Sequence, residues 1–370
     1  MDVVLYLDFS KAFDCVPHKR LLMKLKSFGI SGDFLKLIES FLTNRLQRVK
    51  ISGSTSDFLP VTSGVPQGSV LGPILFVIYI DDIDSGISSD IIKFADDIKI
   101  FRSFESDPIP EPSDTLRGCP LQNDLDQIAA WCETWILNLN VNKCSCLHVG
   151  FKNPSYDYKI RDTIINDNTY VQDLGLIFTS DLKPSTQCLR AAARAHKMIS
   201  IINLAFKYLD SRSLSILYKS LVRPILDYCC VAWCPYYTKD IEVLEKVQRR
   251  FTRLVPGLKH MSYNDRLDTL KLQTLYARRL RFDLITAYKI IHGFMNVDAG
   301  FFFEFCPDSR TRGHNFKLQS HFTRTDVRKY FFTSRVISQW NALPAPCAEA
   351  INISTFKNEL SKHFLTEGIR

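Results

Sequence analysis

Three aspartates occur where a small sheet would bring them together. Asp8 directly follows the apolar run 3–7, and Asp96 and Asp97 separate two apolar stretches at 91–94 and 98–101. Clustered carboxylates repel one another unless a cation neutralises them, and hard oxygen ligands suit Mg²⁺. Two such ions, about 3.5–4 Å apart, activate an attacking oxygen and stabilise a leaving one. The pattern is suited to two-metal phosphoryl transfer, although each piece taken alone favours ordinary solvated turn residues.

A second Asp-Asp pair, Asp81 and Asp82, has a different context. It follows an apolar stretch, 73–80, which Ser69 can cap and which we expect to be a buried helix reaching about residue 83. The tip of a hairpin holds two carboxylates more rigidly than the frayed end of a helix. We therefore choose Asp96 and Asp97 as the functional pair, and expect Asp81 and Asp82 to take no part in the chemistry.

The elements that must position these residues are short strands and helices. Apolar, β-branched runs predict a strand at 3–7, two strands within 91–101 that turn at Asp96-Asp97, a strand at 61–65 and a hairpin at 172–178. Helical spacing predicts helices at 21–28, 33–42 and 121–137, and almost continuous helix from 187 to 292. Residues 103–117, rich in Pro, Ser and acidic side chains, predict a loop.

Composition and charge restrict the class of protein. The 370 residues are 46% apolar and 23% charged, a globular profile with room for two or three domains. The longest charge-free apolar run, 73–80, is far shorter than the roughly 20 residues of a membrane span. No basic-then-apolar signal pattern opens the chain. We therefore expect an intracellular protein, in the nucleus or the cytoplasm, without a membrane partner.

The net charge of +8 is divided unevenly along the chain. Residues 1–150 carry 14 Lys+Arg against 19 Asp+Glu, whereas residues 151–370 carry 33 against 20. An acidic half joined to a basic half is typical of carboxylates that hold metal and a surface that holds nucleic acid. A basic half that merely exposes more lysine is the alternative.

Eleven cysteines occur, mostly in apolar surroundings. Pairs such as Cys144 and Cys146 lack a Cys-x-x-Cys partner or a spaced pair of histidines. We therefore expect buried free thiols in a reducing compartment rather than a zinc site.

Three ordered motifs resemble the palm of reverse transcriptases, most closely the LINE-type, non-LTR, jockey-like retrotransposon group. They are Leu7-Asp-Phe-Ser-Lys-Ala-Phe-Asp-Cys-Val-Pro-His18, Ser63-Gly-Val-Pro-Gln-Gly-Ser-Val-Leu-Gly-Pro73 and Phe94-Ala-Asp-Asp97. Leu139-Asn-Val-Asn-Lys143 and Val171-Gln-Asp-Leu-Gly-Leu176 resemble the two motifs that follow, in the right order. Gln248-Arg-Arg-Phe-Thr-Arg253, Thr311-Arg-Gly-His314 and Trp340-Asn-Ala-Leu-Pro344 resemble the downstream region of such elements.

The resemblance implies a catalytic centre. Asp8, Asp96 and Asp97 would bind two Mg²⁺ ions, with Mn²⁺ as a possible substitute, and the backbone carbonyl of Phe9 would join them. A primer 3′-hydroxyl would attack the α-phosphate of a deoxynucleoside triphosphate on an RNA template, with a DNA primer or target. Asp96 would be the essential member of its pair and Asp97 the auxiliary one. Lys143 would reach the pyrophosphate side and donate a proton, unless it is only solvated charge.

The resemblance also implies how substrates are held. Phe13 would lie beneath the incoming sugar and exclude a 2′-hydroxyl, with plain core packing as the alternative. Gln67 would contact template or nucleotide, and Gly68 would permit a close approach of the backbone. Lys246, Arg249, Arg250 and Arg253 would lie along the template–primer duplex, or else form a solvated basic face. Basic and aromatic residues between 310 and 330 have a composition suited to single strands.

The expected fold is α+β, a right-hand polymerase palm with an antiparallel sheet at 1–180. A helical thumb at 181–300 and a basic, aromatic C-terminal extension at 301–370 would follow. The chain begins one strand before Asp8, so most of the fingers and an upstream endonuclease domain are expected to be lacking. The predicted function is RNA-directed DNA polymerase. An inactive nucleic-acid-binding remnant is the main alternative, a two-metal nuclease is a third possibility, and the oligomeric state stays open.

Overall fold

The computed structural model describes residues 2–103, 119–150, 153, 155–206, 210–307 and 313–369. The chain divides into two compact units. The first comprises Met1–Val171 and Thr179–Asp181, and the second comprises Gln172–Phe178 and Leu182–Arg370. Each unit has its own hydrophobic core.

A five-stranded sheet forms the centre of the first unit. Its strands are β1 (Asp2–Leu7), β6 (Asp90–Phe94), β7 (Asp97–Ser103), β8 (Ser145–Val149) and β11 (Asn166–Asp167). The order across the sheet is β11-β8-β1-β7-β6. Strand β1 pairs antiparallel with β7 on one side and β8 on the other, whereas β11 runs parallel to β8. The strand that ends at Asp8 is therefore the middle strand of the sheet.

Helices and short strand pairs complete the first unit. The helices are α1 (Ala12–Cys15), α2 (His18–Ser27), α3 (Gly32–Leu42), α4 (Leu71–Tyr79) and α5 (Pro120–Trp135), with a 3₁₀ turn at Asp81–Asp84. The short strands are β2 (Leu46–Gln47), β3 (Lys50–Ile51), β4 (Ser54–Thr55), β5 (Leu59–Pro60), β9 (Lys159–Ile160) and β10 (Thr163–Ile164). They pair as β2 with β5, β3 with β4 and β9 with β10.

Alternation along β1 explains why this strand is central. Val3, Leu5 and Leu7 are almost completely buried, and apolar side chains of α2, α4 and α5 belong to the same core. Because successive side chains of a strand point to opposite faces, the even-numbered residues up to Asp8 share the other face. Burial of the odd-numbered face therefore orients Asp8 toward the side of the sheet away from this core.

The second unit is helical. Its helices are α6 (Ser185–Ala205), α7 (Ser211–Leu217), α8 (Arg223–Asp227), α9 (Thr238–Leu254), α10 (Tyr263–Leu270), α11 (Leu275–Ile291), α12 (Ala299–Phe302), α13 (Asp326–Lys329), α14 (Phe332–Asn341), α15 (Ala345–Ala348) and α16 (Ile353–Thr366), with a π-helical segment at Tyr218–Val222. A hairpin of β12 (Tyr170–Asp173) and β13 (Leu176–Thr179) precedes them.

Two clusters of buried side chains lie within the second unit. One joins α6, α9 and α10, and the other joins α11, α14 and α16. In the second cluster the Tyr288 and Phe356 rings stack at 4.2 Å, and Trp340 is fully buried. Helix α11 contributes to both clusters, Leu275 to the first and Tyr288 to the second. The residues after 301 therefore pack against α11, which begins at Leu275.

Most elements agree with the sequence prediction, and the exceptions have local causes. The strand predicted at 61–65 is wrong, because this segment is irregular and only Leu59–Pro60 pairs as a strand. The helix predicted to reach residue 83 ends at Tyr79 and continues as the 3₁₀ turn. The predicted cap, Ser69, lies one residue before the N-cap position Val70, although its Oγ accepts a hydrogen bond from the Gly72 amide at 2.9 Å. The loop predicted at 103–117 lies, apart from Ser103, outside the described residues.

Two composition-based predictions are also answered. All eleven cysteines are free thiols, and most are buried, as expected. Burial raises the pKa of the Cys132 and Cys188 thiols to about 12, which keeps them protonated. Among the described helices, none is both long and apolar enough to cross a bilayer.

Candidate active site

Asp8 and Asp97 lie at the same end of neighbouring strands. In the β1–β7 ladder Leu7 pairs with Ile98, and continuing this register by one residue brings Asp8 level with Asp97. Directly opposed residues of an antiparallel pair share a face of the sheet. The Asp8 side chain is 40% exposed and Asp97 is exposed. The Asp8 and Asp97 carboxylates are therefore neighbours at an exposed end of these two strands.

Asp96 occupies the turn rather than a strand. The β6–β7 hairpin closes with Phe94 paired to Asp97, so Ala95 and Asp96 form a two-residue turn. Ala95 adopts a left-handed φ of 52°, which reverses the chain within this short loop. The predicted turn at Asp96-Asp97 is therefore displaced by one residue. Asp97 is fixed by the ladder, while Asp96 stands at the tip.

The donor atoms at this edge fit hard divalent cations. Carboxylate and carbonyl oxygens are the ligands that Mg²⁺ prefers. Among the residues that the structure describes, Asp8, Asp96 and Asp97 do not offer three carboxylate oxygens that all lie within 4.8 Å of one another. The three carboxylates therefore do not close around a single ion.

A segment from the fourth motif pairs with the residues after β1. Ser10 N donates to Asn138 O and Asn140 N donates to Asp8 O, both at 2.8 Å, around a bridge between Phe9 and Leu139. In this pattern the N–H and carbonyl of Phe9 point away from residues 138–140, toward the side of β7. The Phe9 carbonyl is thereby directed to the side on which Asp97 lies.

The turn that follows Asn140 places Lys143 next to Asp8. Lys143 N donates to Asn140 O at 2.9 Å, and the Lys143 ammonium lies 3.7 Å from a carboxylate oxygen of Asp8. The lysine side chain is 65% exposed, so this contact is made at the open edge of the sheet. An ammonium beside the carboxylates can neutralise part of their charge and can deliver a proton to a nearby oxygen.

In the second Asp-Asp pair, Asp82 contacts side chains of the first unit. Asp82 accepts from the Lys24 ammonium and from Trp131 Nε1, the latter at 3.0 Å. Lys24 is only 4% exposed and lies 3.8 Å from the centre of the Trp135 ring. Burial lowers the pKa of Lys24, and the hydrogen bond that its ammonium donates to Asp82 opposes this shift. Asp82 therefore compensates a buried cation.

Phe13 is partly buried and stacks on a core ring. Its ring centre lies 4.5 Å from that of Phe76, with an angle of 25° between the rings. One face of Phe13 is therefore in contact with the core, and the remaining exposed part is available to a ligand. Both interpretations of this residue, core packing and contact with a sugar, are compatible with this position.

The second motif is fastened to the first by backbone hydrogen bonds. Val65 N donates to Phe13 O and Gly64 N donates to Val16 O, both at 2.8 Å. The buried ring of His18 contacts Gly64 O at 2.8 Å. A Cβ on Gly64 would come within 2.7 Å of the Asp14 backbone, so only glycine fits here. The two motifs thus form one local structure although 46 residues separate His18 from Gly64.

Gln67 and Gly68 follow this junction on the surface. Gln67 is exposed, and its Nε2 donates to Asp14 Oδ1 at 2.7 Å. Gly68 has a φ of 81°, and a Cβ there would meet nothing within 4 Å. Within the protein, it is therefore Gly64, and not Gly68, that another backbone segment approaches too closely for a side chain.

An open groove of about 750 Å³ adjoins Gln67 and contains two cations that the sequence reasoning missed. They are Lys11, which lies inside the first motif, and Arg45, whose guanidinium donates to Gly64 O at 3.1 Å. Lys11 could have been noticed from its position three residues after Asp8. Nothing in the local sequence marks Arg45, because its role depends on a contact with a distant loop.

In the second unit, the four predicted cations of α9 are all exposed, while Leu244, Val247 and Phe251 of the same helix are buried. Two of the four also make internal contacts. Arg249 lies 5.0 Å from the centre of the Tyr263 ring, and Arg250 lies 3.3 Å from His196 Nδ1. Lys246 and Arg253 complete the exposed stripe.

The predicted hairpin motif ends in a tight turn. Leu174 and Gly175 have φ values of 45° and 84°, and Tyr228 OH donates to Leu174 O at 2.9 Å. A groove of about 360 Å³ beside Gly175 is lined by Arg190 and Arg194, two further cations that sequence reasoning did not single out.

Two members of the basic and aromatic C-terminal segment have internal partners, whereas Phe322, Arg324, Arg328 and Lys329 are exposed. His314 is 1% exposed and bonds to Trp340 O at 3.0 Å, while the Lys317 ammonium donates to Asn341 O. These two side chains hold the fold together and are not part of an open basic surface. Arg310 and Arg312, included in the same prediction, lie outside the described residues.

The sheet order, the hairpin with its aspartate tip and the aspartate at the end of the middle strand define a class of protein, the right-hand polymerase palm. The family model for reverse transcriptase (RNA-dependent DNA polymerase) matches residues 2–208. This chain therefore belongs to the reverse transcriptase family. Enzymes of this family use divalent metal ions.

Curated relatives come from non-LTR retrotransposons, as the motifs predict. The probable RNA-directed DNA polymerase from transposon X-element of Drosophila melanogaster is 27% identical over 74% of this chain and 30% of that protein. The RNA-directed DNA polymerase from mobile element jockey of Drosophila funebris is 28% identical over 68% of this chain and 28% of that protein. The chain thus spans less than a third of the length of these relatives.

The solved structures include a distant likeness, telomerase from Candida albicans in complex with a fragment of telomeric RNA. It aligns with 77% of this chain and 43% of that chain, at 14% identity and a TM-score of 0.40.

Proposed function

We propose that this chain forms the palm and adjoining helical region of an RNA-directed DNA polymerase that extends a DNA primer on an RNA template. The observation that carries this proposal is the opposition of Asp8 and Asp97 at one strand end, with Lys143 3.7 Å from Asp8. Membership of the reverse transcriptase family supports the choice of template and product. The substrates are deoxynucleoside triphosphates, and the source is a non-LTR retrotransposon.

Asp8, Asp96, Asp97 and the Phe9 carbonyl are the groups that would hold two Mg²⁺ ions. When bound, these ions activate the primer 3′-hydroxyl and stabilise charge on the leaving oxygen. Asp96 lies in the two-residue turn of the hairpin, whereas Asp97 pairs with Phe94 in the ladder. Lys143 donates the proton that the leaving pyrophosphate requires, from an ammonium already positioned at Asp8.

Substrate selection is assigned to the joined first and second motifs. Phe13 presents its free ring edge to the sugar of the incoming nucleotide and excludes a 2′-hydroxyl. Gln67, oriented by Asp14, contacts the template or nucleotide base. Lys11 and Arg45 line the adjoining groove and supply positive charge for phosphate groups.

The domain assignment is palm at 1–180, thumb at 181–300 and C-terminal extension at 301–370. Lys246, Arg249, Arg250 and Arg253 on α9 contact phosphates of the template–primer duplex. Such contacts are independent of sequence and weaken as the salt concentration rises.

Primer extension tests the proposal. The purified chain, with an oligo(dT) primer on poly(rA) and Mg²⁺, is expected to add deoxythymidine residues. Asp96→Ala should reduce extension by at least about 100-fold, since it removes a group that stabilises charge in the transition state. Asp81→Ala is the matched control, because it removes an exposed carboxylate from the other Asp-Asp pair. Salt-sensitive template binding without extension would contradict the proposal and indicate a nucleic-acid-binding remnant, and cleavage without extension would indicate a nuclease.

A further inference from the structure

A cysteine, a histidine and an aspartate converge on the edge of the sheet that lies away from the β6–β7 hairpin. Cys146 and His148 are two residues apart on β8, so their side chains share a face. Asp167 is on β11 and pairs in register with Cys146. In the part of the chain that the structure describes, they are the one group of three or more His, Cys, Asp or Glu side chains with the spacing of a metal site.

Two of the distances between these ligand atoms are close to those of tetrahedral zinc. Cys146 Sγ lies 3.4 Å from His148 Nε2, and His148 Nε2 lies 3.9 Å from Asp167 Oδ1. With Zn–S bonds of about 2.3 Å and Zn–N or Zn–O bonds of about 2.0–2.2 Å, tetrahedral angles place such atoms roughly 3.4–3.6 Å apart. An ion would therefore fit with small side-chain adjustments and no movement of the strands.

The imidazole is already held in the tautomer that a metal needs. His148 Nδ1 lies 3.1 Å from Asn153 Oδ1. Asn153 is itself oriented, because its Nδ2 donates to Val149 O and its Oδ1 accepts from Ser155 N. The Asn153 oxygen can only accept, so Nδ1 carries the proton and Nε2 presents its lone pair to Cys146 and Asp167. A hydrogen bond of this kind behind a ligating histidine is a regular feature of zinc sites.

Burial is graded across the cluster. Cys146 is 2% exposed and His148 is 8% exposed, whereas the Asp167 side chain is 57% exposed. An ion can therefore enter from the Asp167 side, and a water can complete its coordination there. A thiolate, an imidazole and a carboxylate together select zinc over the hard cations that oxygen-only sites bind.

We propose that Cys146, His148 and Asp167 bind one Zn²⁺ ion that joins the edge strand β11 to β8. Binding releases the Cys146 thiol proton to solvent and forms the Zn–S bond. The site is separate from the proposed catalytic centre, and it does not depend on the polymerase proposal. Because β8 pairs directly with β1, the ion stabilises the sheet that carries Asp8.

Metal titration of the intact chain tests the site. After removal of metal with a chelator, the protein is titrated with Co²⁺ and then with Zn²⁺ alone. We expect a sulfur-to-cobalt charge-transfer band in the near ultraviolet that saturates with one thiolate-bound Co²⁺ per chain and that Zn²⁺ then abolishes. We also expect Zn²⁺ to raise the Tm, because it binds the folded state. The band reports a thiolate ligand, so cations bound to the carboxylates of Asp8, Asp96 and Asp97 do not produce it.

Four variants make the outcome specific. Cys146→Ser should lose the band, and Asp167→Asn, at an exposed position where misfolding is not expected, should weaken binding at least tenfold. Asn153→Ala should weaken it by about 10–100-fold while retaining the band. Cys132→Ser, a buried cysteine of α5 outside the cluster, is the matched control and should bind as the wild type does. No thiolate band in the wild type, or the same affinity in Cys146→Ser and Cys132→Ser, would overturn the proposal.

Discussion

The two Asp-Asp pairs of this chain differ in what their side chains contact. Asp82 meets a buried ammonium and an indole N–H, so its charge is needed inside the first unit. Asp96 stands on a two-residue turn and Asp97 begins a strand level with Asp8. The same dipeptide therefore contacts a buried cation at one position and lies at the strand end beside Asp8 at the other.

This difference predicts opposite effects of one substitution at the two pairs. Asp82→Asn leaves the buried Lys24 without its carboxylate and should lower the free energy of unfolding by about 1–3 kcal/mol. Asp96→Asn should leave that free energy within about 0.5 kcal/mol of the wild type while abolishing primer extension. Denaturant unfolding and extension are measured on both variants. Loss of stability in Asp96→Asn but not in Asp82→Asn would reverse the assignment.

Phe13 allows a test of sugar discrimination. Phe13→Ala should let ribonucleotides enter, lowering the ratio of deoxynucleotide to ribonucleotide incorporation by about 10–100-fold. Because Phe13 stacks on Phe76, the alanine variant also loses core packing. Phe13→Val retains part of that packing and should show a smaller loss of stability with the same change in selectivity. Unchanged ratios in single-nucleotide incorporation by both variants would show that Phe13 is only a core residue.

At the level of elements, sequence patterns predict those structures that local residues determine. The strand ending at Asp8, the β6–β7 hairpin and helices α2, α3 and α5 follow from apolar spacing and are confirmed within one to three residues. The segment 61–65 also reads as a strand, but two of its amides bond to α1 and to the residue that follows it, Val65 N to Phe13 O and Gly64 N to Val16 O. A long-range contact of this kind cannot be read from the local pattern.

The junction of the first two motifs predicts unequal effects of two glycine substitutions. Gly64 and Gly68 both have positive φ, so alanine at either costs about 1–3 kcal/mol of backbone strain. Gly64→Ala adds a clash with the Asp14 backbone and should cost about 1–3 kcal/mol more. Midpoints of denaturant unfolding give the comparison. Equal midpoints for the two variants would mean that the junction is looser than these contacts indicate.

Helix α5 is attached to the loop before β6 through one carboxylate, and this contact should depend on pH. Asp124 is 2% exposed; burial disfavours its charge, but hydrogen bonds from Ser88 and Ser89 outweigh burial and lower its pKa. Since the folded-state pKa is below the unfolded value of about 3.9, the stabilisation is complete above that pH and is lost as pH falls through the folded-state pKa.

Thermal unfolding of Asp124→Asn against the wild type measures this contribution. The difference in Tm should be constant from pH 7 to about pH 5 and should shrink below about pH 4. Asp126→Asn, at an exposed carboxylate of the same helix, is the control and should show a smaller difference. A difference that grows as the pH falls would contradict the assigned direction of the shift.

At the level of the whole molecule, composition predicts an acidic, carboxylate-bearing half and a basic half, and both are present. What composition cannot predict is which basic side chains are used internally. His314 and Lys317 hold the C-terminal fold, whereas the α9 cations remain on the surface. Cysteine spacing likewise gave no reason to expect the cluster around Cys146, because Asp167 reaches it through the parallel pairing of β11 with β8.

The exposed stripe on α9 leads to a prediction about the salt dependence of nucleic-acid binding. Lys246→Gln combined with Arg253→Gln should weaken binding to a template–primer duplex equally for all sequences. It should also reduce the slope of log Kobs against log[salt] by about 0.9 for each phosphate contact removed. These two positions are chosen because Arg249 and Arg250 also contact Tyr263 and His196, so replacing those would disturb packing.

A charge-matched control separates a local contact from net charge. Lys357→Gln combined with Lys362→Gln removes the same two charges from exposed positions of α16. If α9 lies along the duplex, the slope changes for the α9 pair and stays within error for the α16 pair, because counterions are released only from the phosphates that cations contact. Equal changes for both pairs would show that the basic half acts through its overall charge, and the assignment of α9 to the thumb surface would then be wrong.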